Sequence, residues 1–287
     1  MASTDGRVTI TQDVVYGTAG PGGRDLRCDV YTPPGVTPGS GAPCVVLVHG
    51  GAWRSGDKTQ LRGYGILLGR AGYVCVAPEY RLVGEAPWPA AIHDVKAVLR
   101  WARASADDLG IDPSRIAIEG NSAGAHLALL AAGTPGVAEL EGEGGHPGVS
   151  TEVAAVAAVY APVLFFDPAT GHSKGAIPLL ALVDDGDAAA AQLASPVHHV
   201  SPAFPPTLLV HGTSDTTVPV SASVRMYEEL VAAGVPADLH LYAEQPHAFD
   251  AQPSFGRQVA AEMLLFLDRY VPAPAAVEAA SEVVAPA

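Results

Sequence analysis

Apolar residues fall into two alternating patterns along this chain. Short and almost continuously apolar runs, typical of strands covered on both faces of a sheet, occur at 44–48, 73–77, 116–118, 153–160, 207–210 and 237–242. Stretches with helical periodicity lie between or after them, at 59–71, 89–104, the segment that follows 122, 220–233 and 255–270. Two segments of alternating polarity open the chain and predict an antiparallel pair of strands, 7–16 and 26–31.

Strands that alternate with helices predict the α/β class, with a mostly parallel, eight-stranded twisted sheet and helices on both of its faces. We expect a single domain over residues 1–270. Residues 162–203 are irregular and rich in proline, which favours a small lid-like insertion over one end of the sheet. The Gly-rich, acidic stretch 135–150 predicts an exposed loop. Residues 271–287 lack periodicity and predict a flexible tail.

Composition and charge limit the kinds of molecule that this protein is expected to bind. A net charge of −14, with no cluster of lysine and arginine, argues against nucleic acid and against an anionic membrane surface. Cys28, Cys44 and Cys75 have the spacing of neither metal ligands nor a redox pair. The first twenty residues show no basic segment followed by an apolar one, and no apolar run approaches the length of a membrane span, so we expect neither a secretory leader nor a transmembrane helix. We therefore expect a soluble cytoplasmic protein, monomeric or homodimeric, that acts on a small molecule.

The segment Arg115–Leu130 carries the most specific motif, Gly120-Asn121-Ser122-Ala123-Gly124. A β-branched run stops at the first glycine, and an Ala/Leu-rich helix begins directly after the motif. This is the pattern of a nucleophile elbow, a sharp strand-to-helix turn that exposes a serine hydroxyl at the top of a sheet. The flanking residues must be small because larger side chains would collide with the neighbouring strand or helix. Ser122 as an ordinary helix N-cap is the alternative.

Two further strand ends carry polar residues of the right kinds. The run 207–210 is followed by His211-Gly-Thr-Ser-Asp215, and the run 237–242 by Ala-Glu-Gln-Pro-His247. Ligands bind at the carboxyl ends of strands in such sheets, and the chain order serine, acid, histidine is that of α/β hydrolases. A serine hydroxyl needs an imidazole to take its proton, and the imidazole needs an acid to orient it.

Five motifs together resemble the α/β-hydrolase-fold carboxylesterases of the hormone-sensitive-lipase-like and feruloyl- and acetyl-xylan-esterase-like groups. The motifs are His49-Gly50-Gly51-Ala52-Trp53, Glu79-Tyr80-Arg81-Leu82, Gly120–Gly124, His211–Asp215 and Pro246-His247-Ala248-Phe249. The resemblance implies an α/β-hydrolase fold, no cofactor, and Ser122, Asp215 and His247 as nucleophile, acid and base. It also implies that the backbone N–H groups of Gly51, Ala52 and Ala123 form an oxyanion hole.

The resemblance implies cleavage of short- to medium-chain carboxylic esters through an acyl-enzyme. Trp53, Phe165 and Phe249 are candidates for the substrate pocket, although each is equally consistent with a core position. An arylformamidase or amidase on the same three residues, acyl transfer to an alcohol, and a non-catalytic binding protein of the same fold remain alternatives.

Other residues compete for the same roles. Asp184, Asp185 and Asp187 have no strand before them, Asp250 lies one turn past His247, and Asp215 itself fits a simple turn. His49, His126 and His211 are interpreted as structural neighbours of the site, and the remaining histidines as surface or loop residues. No histidine pair has zinc-ligand spacing beside a cysteine or carboxylate cluster, so no metal site is predicted.

Overall fold

The computed structural model describes residues 6–20, 22–167, 171–172 and 188–273. Its strands are β1 Thr9–Thr18, β2 Asp25–Thr32, β3 Ala42–Val48, β4 Val74–Pro78, β5 Ile111–Asn121, β6 Ala155–Val159, β7 Phe166–Asp167, β8 Gly171–His172, β9 Thr207–Gly212 and β10 Ala237–Tyr242. The main helices are α1 Arg62–Arg70, α2 Ala90–Ala104, α3 Ala106–Leu109, α4 Ala123–Gly133, α5 Ala138–Glu141, α6 Ala188–Leu193, α7 Ser221–Ala232 and α8 Pro253–Tyr270.

Eight strands form one sheet in the order β1-β2-β4-β3-β5-β6-β9-β10. The first strand pairs antiparallel with β2, and β2 pairs antiparallel with β4. Every other neighbouring pair in this sheet is parallel. The predicted α/β class, the strand number and the antiparallel opening pair are confirmed, and β5 lies near the centre with its carboxyl end between those of β3 and β6.

Helices cover both faces of the sheet because its central strands are apolar on both sides. Helices α2, α4 and α7 pack on one face, where Ile116 and Ile118 of β5 contribute to the core. Helices α1 and α8 pack on the other face, where Ala117 of the same strand lies. Alternate residues of β5 therefore point into two separate cores, which fixes the direction of the side chains at its carboxyl end.

The predicted exposed loop 135–150 is wrong in part. It contains the short helix α5, whose Leu140 is fully buried. Glu141 of that helix forms ion pairs with two buried cations of α2, at 2.9 Å from Lys96 and 3.0 Å from Arg100. The loop is therefore anchored by the charges of α2, which a pattern based on glycine content does not detect.

The region predicted as an insertion, 162–203, contributes to the core at both ends of its described part. Phe165, Ala191 and Ala194 are fully buried, and the small antiparallel pair of β7 and β8 lies between them in sequence. Residues 168–170, 173–187 and 274–287 lie outside the described residues. The lid-like character of the insertion and the flexible tail therefore stay predictions.

Candidate active site

The turn between β5 and α4 places Ser122 at the carboxyl end of the central strand. Ser122 has a φ of 53° and a ψ of −118°, a strained conformation for a residue with a side chain. A Cβ on Gly120 would lie 2.4 Å from the carbonyl carbon of Gly124, and a Cβ on Gly124 would lie 2.0 Å from the carbonyl oxygen of Val48. The predicted need for small residues on both sides of the serine is confirmed.

Three side chains from three strand ends meet at this turn. The Oγ of Ser122 lies 2.9 Å from Nε2 of His247, and Nδ1 of His247 lies 2.6 Å from Oδ2 of Asp215. Because a carboxylate only accepts, Nδ1–H of the imidazole donates to Asp215, and Nε2 is left to accept the serine hydroxyl. The arrangement can therefore move the proton of Ser122 onto an imidazole whose tautomer is set by a carboxylate.

Asp215 is held in place on its other side as well. Its side chain is buried, and Oδ1 accepts the backbone N–H groups of Thr217 at 2.8 Å and Val218 at 2.9 Å. These two bonds are typical of an aspartate in a turn, so the simple-turn alternative accounts for the contacts of Oδ1. It does not account for the contact of Oδ2, which accepts the hydrogen bond from His247.

His211 is a second histidine on the same carboxylate. Its Nε2 lies 3.2 Å from Oδ2 of Asp215 and 3.0 Å from the carbonyl oxygen of Val218, while Nδ1 lies 2.7 Å from the hydroxyl of Ser223. Both groups at Nε2 are acceptors, so Nε2 carries the proton and Nδ1 accepts the Ser223 hydroxyl. Burial lowers the pKa of His211, which favours this neutral form. The predicted place of His211 next to the site agrees with this structure, and its bond to Asp215 is an additional feature.

The predicted oxyanion loop lies directly against the elbow. Positive φ angles follow one another at Gly51 (118°), Ala52 (52°) and Trp53 (59°). A Cβ on Gly50 would lie 2.8 Å from the carbonyl oxygen of Asn121, so the two turns are in contact. Ala123 begins α4, and the first N–H groups of a helix have no partner inside it. The loop and the start of α4 thus lie next to each other at the elbow, and their role as an oxyanion hole stays a prediction.

Two histidines hold this loop in place. His49 stacks on Tyr80 with 4.3 Å between ring centroids, and the Tyr80 hydroxyl donates to the carbonyl oxygen of His49. His126 of α4 accepts the indole N–H of Trp53 at Nδ1 and donates from Nε2 to the carbonyl oxygen of Ala194. Burial lowers the pKa of His126 to about 4, which keeps both bonds in place at neutral pH.

The three aromatic candidates for the substrate pocket are almost fully buried. Trp53, Phe165 and Phe249 are 3%, 0% and 1% exposed. Trp53 and Phe165 pack edge-to-face on the side of the sheet covered by α4, and Phe249 lies in the opposite core, against Tyr242. These positions are those of core residues, and a role in binding substrate stays a prediction.

Asp250, the competing acid closest in sequence to His247, has partners of its own. Oδ1 accepts the Tyr160 hydroxyl at 2.5 Å, while Oδ2 accepts the Tyr64 hydroxyl at 2.7 Å and the side-chain amide of Asn121 at 2.6 Å. The ring of Tyr160 also packs on the imidazole of His247, with 4.6 Å between centroids. Asp184, Asp185 and Asp187 lie outside the described residues.

Glu119 lies on β5 two residues before Asn121 and is 1% exposed. Neither of its carboxyl oxygens has a hydrogen-bond partner among the residues that the structure describes. Burial, with Asp250 nearby, raises the pKa of this carboxyl group well above its usual range. The sequence pattern does not show whether an acidic residue at this position is buried or exposed, so Glu119 is absent from the predicted site residues.

The described residues contain no group of three or more histidine, cysteine, aspartate and glutamate side chains placed to hold a metal ion. Cys28, Cys44 and Cys75 are free and buried, and burial raises the pKa of the Cys44 thiol to about 12. None of the helices in the described part of the chain combines the length and the apolarity needed to cross a bilayer.

The sheet, the elbow and the order of the polar strand ends define an α/β-hydrolase fold. The chain belongs to the BD-FAE family, whose model matches residues 28–230. Among solved structures, a thermophilic esterase from Thermogutta terrifontis has the same fold, with a TM-score of 0.81 and 24% identity over 96% of both chains. A truncated carbohydrate esterase from gut microbiota is 26% identical with a TM-score of 0.77, over 91% of this chain and 97% of the other.

Curated relatives point to the same family. The chain is 35% identical to the esterase LipQ of Mycobacterium tuberculosis over 88% of its own length and 60% of the relative. It is 34% identical to the probable carboxylic ester hydrolase LipM of the same organism, over 83% of this chain and 56% of the relative. The chain thus spans less than two thirds of the length of these curated relatives. The resemblance drawn from the motifs is confirmed.

Proposed function

We propose that this chain is a serine carboxylesterase that cleaves short- to medium-chain esters through an acyl-enzyme. The observation that carries the proposal is the continuous line of hydrogen bonds from Ser122 through His247 to Asp215, at 2.9 and 2.6 Å. The names of the relatives LipQ and LipM, an esterase and a probable carboxylic ester hydrolase, support the same activity.

Each residue of this line has one role in the proposed mechanism. Ser122 attacks the ester carbonyl carbon while Nε2 of His247 takes its proton, and Asp215 stabilises the imidazolium that forms. His247 then gives the proton to the departing alcohol, which leaves the acyl group on Ser122. A water molecule, deprotonated by the same imidazole, releases the acid and restores the serine.

We assign the oxyanion hole to the backbone N–H groups of Gly51, Ala52 and Ala123. Negative charge develops on the carbonyl oxygen during both steps, and donors already aimed at that position stabilise it without reorganisation. The positive φ angles at Gly51 and Ala52, and the contact of Gly50 with the elbow, support this assignment because they turn the loop toward Ser122. The Ala123 donor is the first N–H of α4 and also benefits from the helix dipole.

Short acyl groups are the proposed substrates. A Thermogutta terrifontis esterase solved with propionate bound is 25% identical to this chain over 92% of its length. Trp53, Phe165 and Phe249 of this chain are at most 3% exposed and pack as core residues. The bound propionate of that esterase favours a small acyl group over a long lipid chain.

Hydrolysis of p-nitrophenyl esters from acetate to palmitate tests the proposal. We expect the highest kcat/KM at two to six acyl carbons. Ser122→Ala and His247→Ala lower kcat by a factor of about 10⁶ and Asp215→Asn by about 10⁴, because the three residues act as one unit. More than a tenth of wild-type turnover in any of the three variants would contradict the role assigned to that residue.

A fluorophosphonate probe separates the alternatives. Labelling of wild type but not of Ser122→Ala, without turnover of any ester, would replace the proposal with an arylformamidase or amidase. A matched series of anilides then measures that activity. Absence of labelling would favour a non-catalytic binding protein of the same fold.

We also propose that the protein works in the cytoplasm as a monomer or homodimer. Its three free cysteines, all buried, are typical of a chain that folds in a reducing compartment. Light scattering coupled to size-exclusion chromatography measures the oligomeric state, and a mass above twice 29.3 kDa would contradict it.

A further inference from the structure

A cavity of about 500 Å³ lies beside the proposed active site, between α1 and the segment that runs from Ala248 to Arg257. Its walls are mostly apolar and include Leu61, Ile66 and Leu67 of the α1 region and Pro253 at the start of α8. Ser122 and His247 do not line it. The cavity is therefore separate from the position where the ester is attacked, and the proposed function leaves it without a role.

The floor of this cavity is formed by Asp250 and the three side chains that donate hydrogen bonds to it. Asp250 accepts the hydroxyls of Tyr64 and Tyr160 and the amide of Asn121, three of the about four bonds that a carboxylate can take. Burial, with Asp250 nearby, raises the pKa of both phenols, so both stay protonated and keep donating. One acceptor position of Asp250 therefore remains open.

Asn121 holds this carboxylate from the end of β5. It lines the cavity and is only 4% exposed. Because its Nδ2 donates to Tyr160 as well as to Asp250, the amide cannot be turned over without losing both bonds. Its Oδ1 has no hydrogen-bond partner among the described residues and almost no exposed surface, so a ligand in the cavity does not reach it. Asn121 therefore positions Asp250 and leaves the contact with a ligand to that carboxylate.

The charges around the cavity are one anion on the floor and one cation at the rim. Among the described lining residues, Asp250 and Arg257 are the only charged side chains. Asp250 has only neutral donors as partners and forms no ion pair within the described part of the chain. Arg257 lies on the exposed side of α8. A half-buried carboxylate that faces a cavity without its own counter-ion attracts a cation, and the net charge of −14 adds to this attraction.

From this combination we propose that the cavity is a binding site for a small alkylammonium ion. An N–H donor of the ammonium group fills the open acceptor position of Asp250, and the alkyl part packs against Leu61, Ile66 and Leu67. An uncharged alcohol of the same shape can fill the same volume but offers one donor and no charge. An anion would be repelled by the carboxylate of Asp250, so the proposal excludes anions from this cavity.

Isothermal titration with a matched pair of ligands tests the proposal. The probes are 3-methylbutylammonium chloride and 3-methylbutan-1-ol, which share the alkyl group and differ in the polar end. We expect the ammonium ion to bind at least about tenfold more tightly at constant ionic strength, because a hydrogen bond to a charged group is worth more than a neutral one. Equal affinity for the two probes, or no binding of either, would overturn the proposal.

Three variants locate the site. Asp250→Asn removes the preference for the ammonium ion, and circular dichroism checks that the variant is folded. Arg257→Gln removes the competing cation and raises the affinity for the ammonium ion several-fold, a gain that misfolding cannot produce. Arg225→Gln makes the same charge change on α7 and leaves the affinity unchanged. Wild-type affinity in both Asp250→Asn and Arg257→Gln would place the ammonium ion elsewhere.

The titration is independent of the proposed esterase activity. Because Ser122 does not line the cavity, Ser122→Ala binds the ammonium ion as wild type does. Failure of the ester series with successful binding would overturn the proposed function alone. Failure of binding with normal ester turnover would overturn the cavity assignment alone.

Discussion

At the scale of single residues, the neutral His211 is the least expected part of the site. It donates from Nε2 to the same oxygen of Asp215 that accepts the His247 N–H. A buried carboxylate depends on each of its donors, so His211 shares in fixing the direction from which Asp215 faces His247. Under the proposed mechanism, His211 is a positioning residue.

Replacement of His211 by leucine is expected to lower kcat by about tenfold or more, since a lost bond to a charged group costs about 1.5–3 kcal/mol. With one donor fewer, Asp215 attracts the proton of His247 more strongly, so the acid limb of the kcat/KM profile moves to higher pH. His211→Gln keeps an N–H donor and restores both properties in part. A leucine variant with an unshifted pH profile would show that His211 serves packing alone.

Residues at strand ends were predictable because the sheet forces them together. Motifs and chain order predict Ser122, Asp215 and His247 as the three residues of the candidate site. The bonds that join Asn121, Tyr160 and Asp250 have no signal in the sequence. Asn121 ends β5, Tyr160 follows β6, and Asp250 lies in a short 3-10 helix, Phe249–Ala251, so the three residues share no spacing. Sequence patterns report which element carries a residue, and contacts between loops depend on how the elements pack.

At the scale of elements, the elbow is held by close contact between β3, β5 and α4. Gly124→Ala would place a Cβ 2.0 Å from the carbonyl oxygen of Val48, so α4 must shift away from β3. We expect a loss of about 1–3 kcal/mol in the free energy of unfolding, as for overpacked cores, together with a loss of ester turnover. Urea denaturation and p-nitrophenyl acetate hydrolysis measure the two effects.

Gly63→Ala is the matched control for that substitution. A Cβ on Gly63 would meet nothing within 4 Å, and Gly63 lies in α1, where alanine is the better helix former. This variant is expected to keep the wild-type stability or to gain up to about 1 kcal/mol. Equal losses in the two alanine variants would contradict the contact with Val48 as the cause.

Elements were predicted with boundaries within a few residues wherever apolar periodicity was strong, as in α2, predicted at 89–104 and observed at Ala90–Ala104. The helix within the segment 135–150 has no such signal, because its position depends on ion pairs and not on apolar periodicity. Glu141 is attracted by Lys96 and Arg100 of α2, and Leu140 enters the core with it. One buried leucine and one ion-pairing glutamate are too few to produce a periodic signal.

At the scale of the whole molecule, buried histidines make stability depend on pH. The pKa of His126 is about 4 in the folded protein, against about 6.5 in an unfolded chain. Between these values the unfolded state binds more protons, so the free energy of unfolding falls as the pH is lowered from about 6.5 to 4. From pH 7 to pH 5, His126 alone accounts for a loss of about 2 kcal/mol.

Urea denaturation at pH 7 and pH 5 measures this loss. His126→Gln is expected to be less stable than wild type at pH 7, since it disturbs the bonds to Trp53 and Ala194, and to show a smaller difference between the two pH values. His198→Gln, at an exposed position, serves as the control and keeps the wild-type difference. An unchanged difference in His126→Gln would assign the acid sensitivity to other groups.

Under the proposed mechanism, the distribution of the three reacting side chains over the sheet has a consequence for biosynthesis. Ser122 lies at the end of the fifth strand, whereas Asp215 and His247 follow the last two strands of the main sheet. When the ribosome has synthesised the elbow, it has not yet synthesised His247, so Ser122 of the nascent chain has no base to activate it. Reactivity begins only when the edge strand β10 has joined the sheet, and labelling of Ser122 thereby reports completed folding.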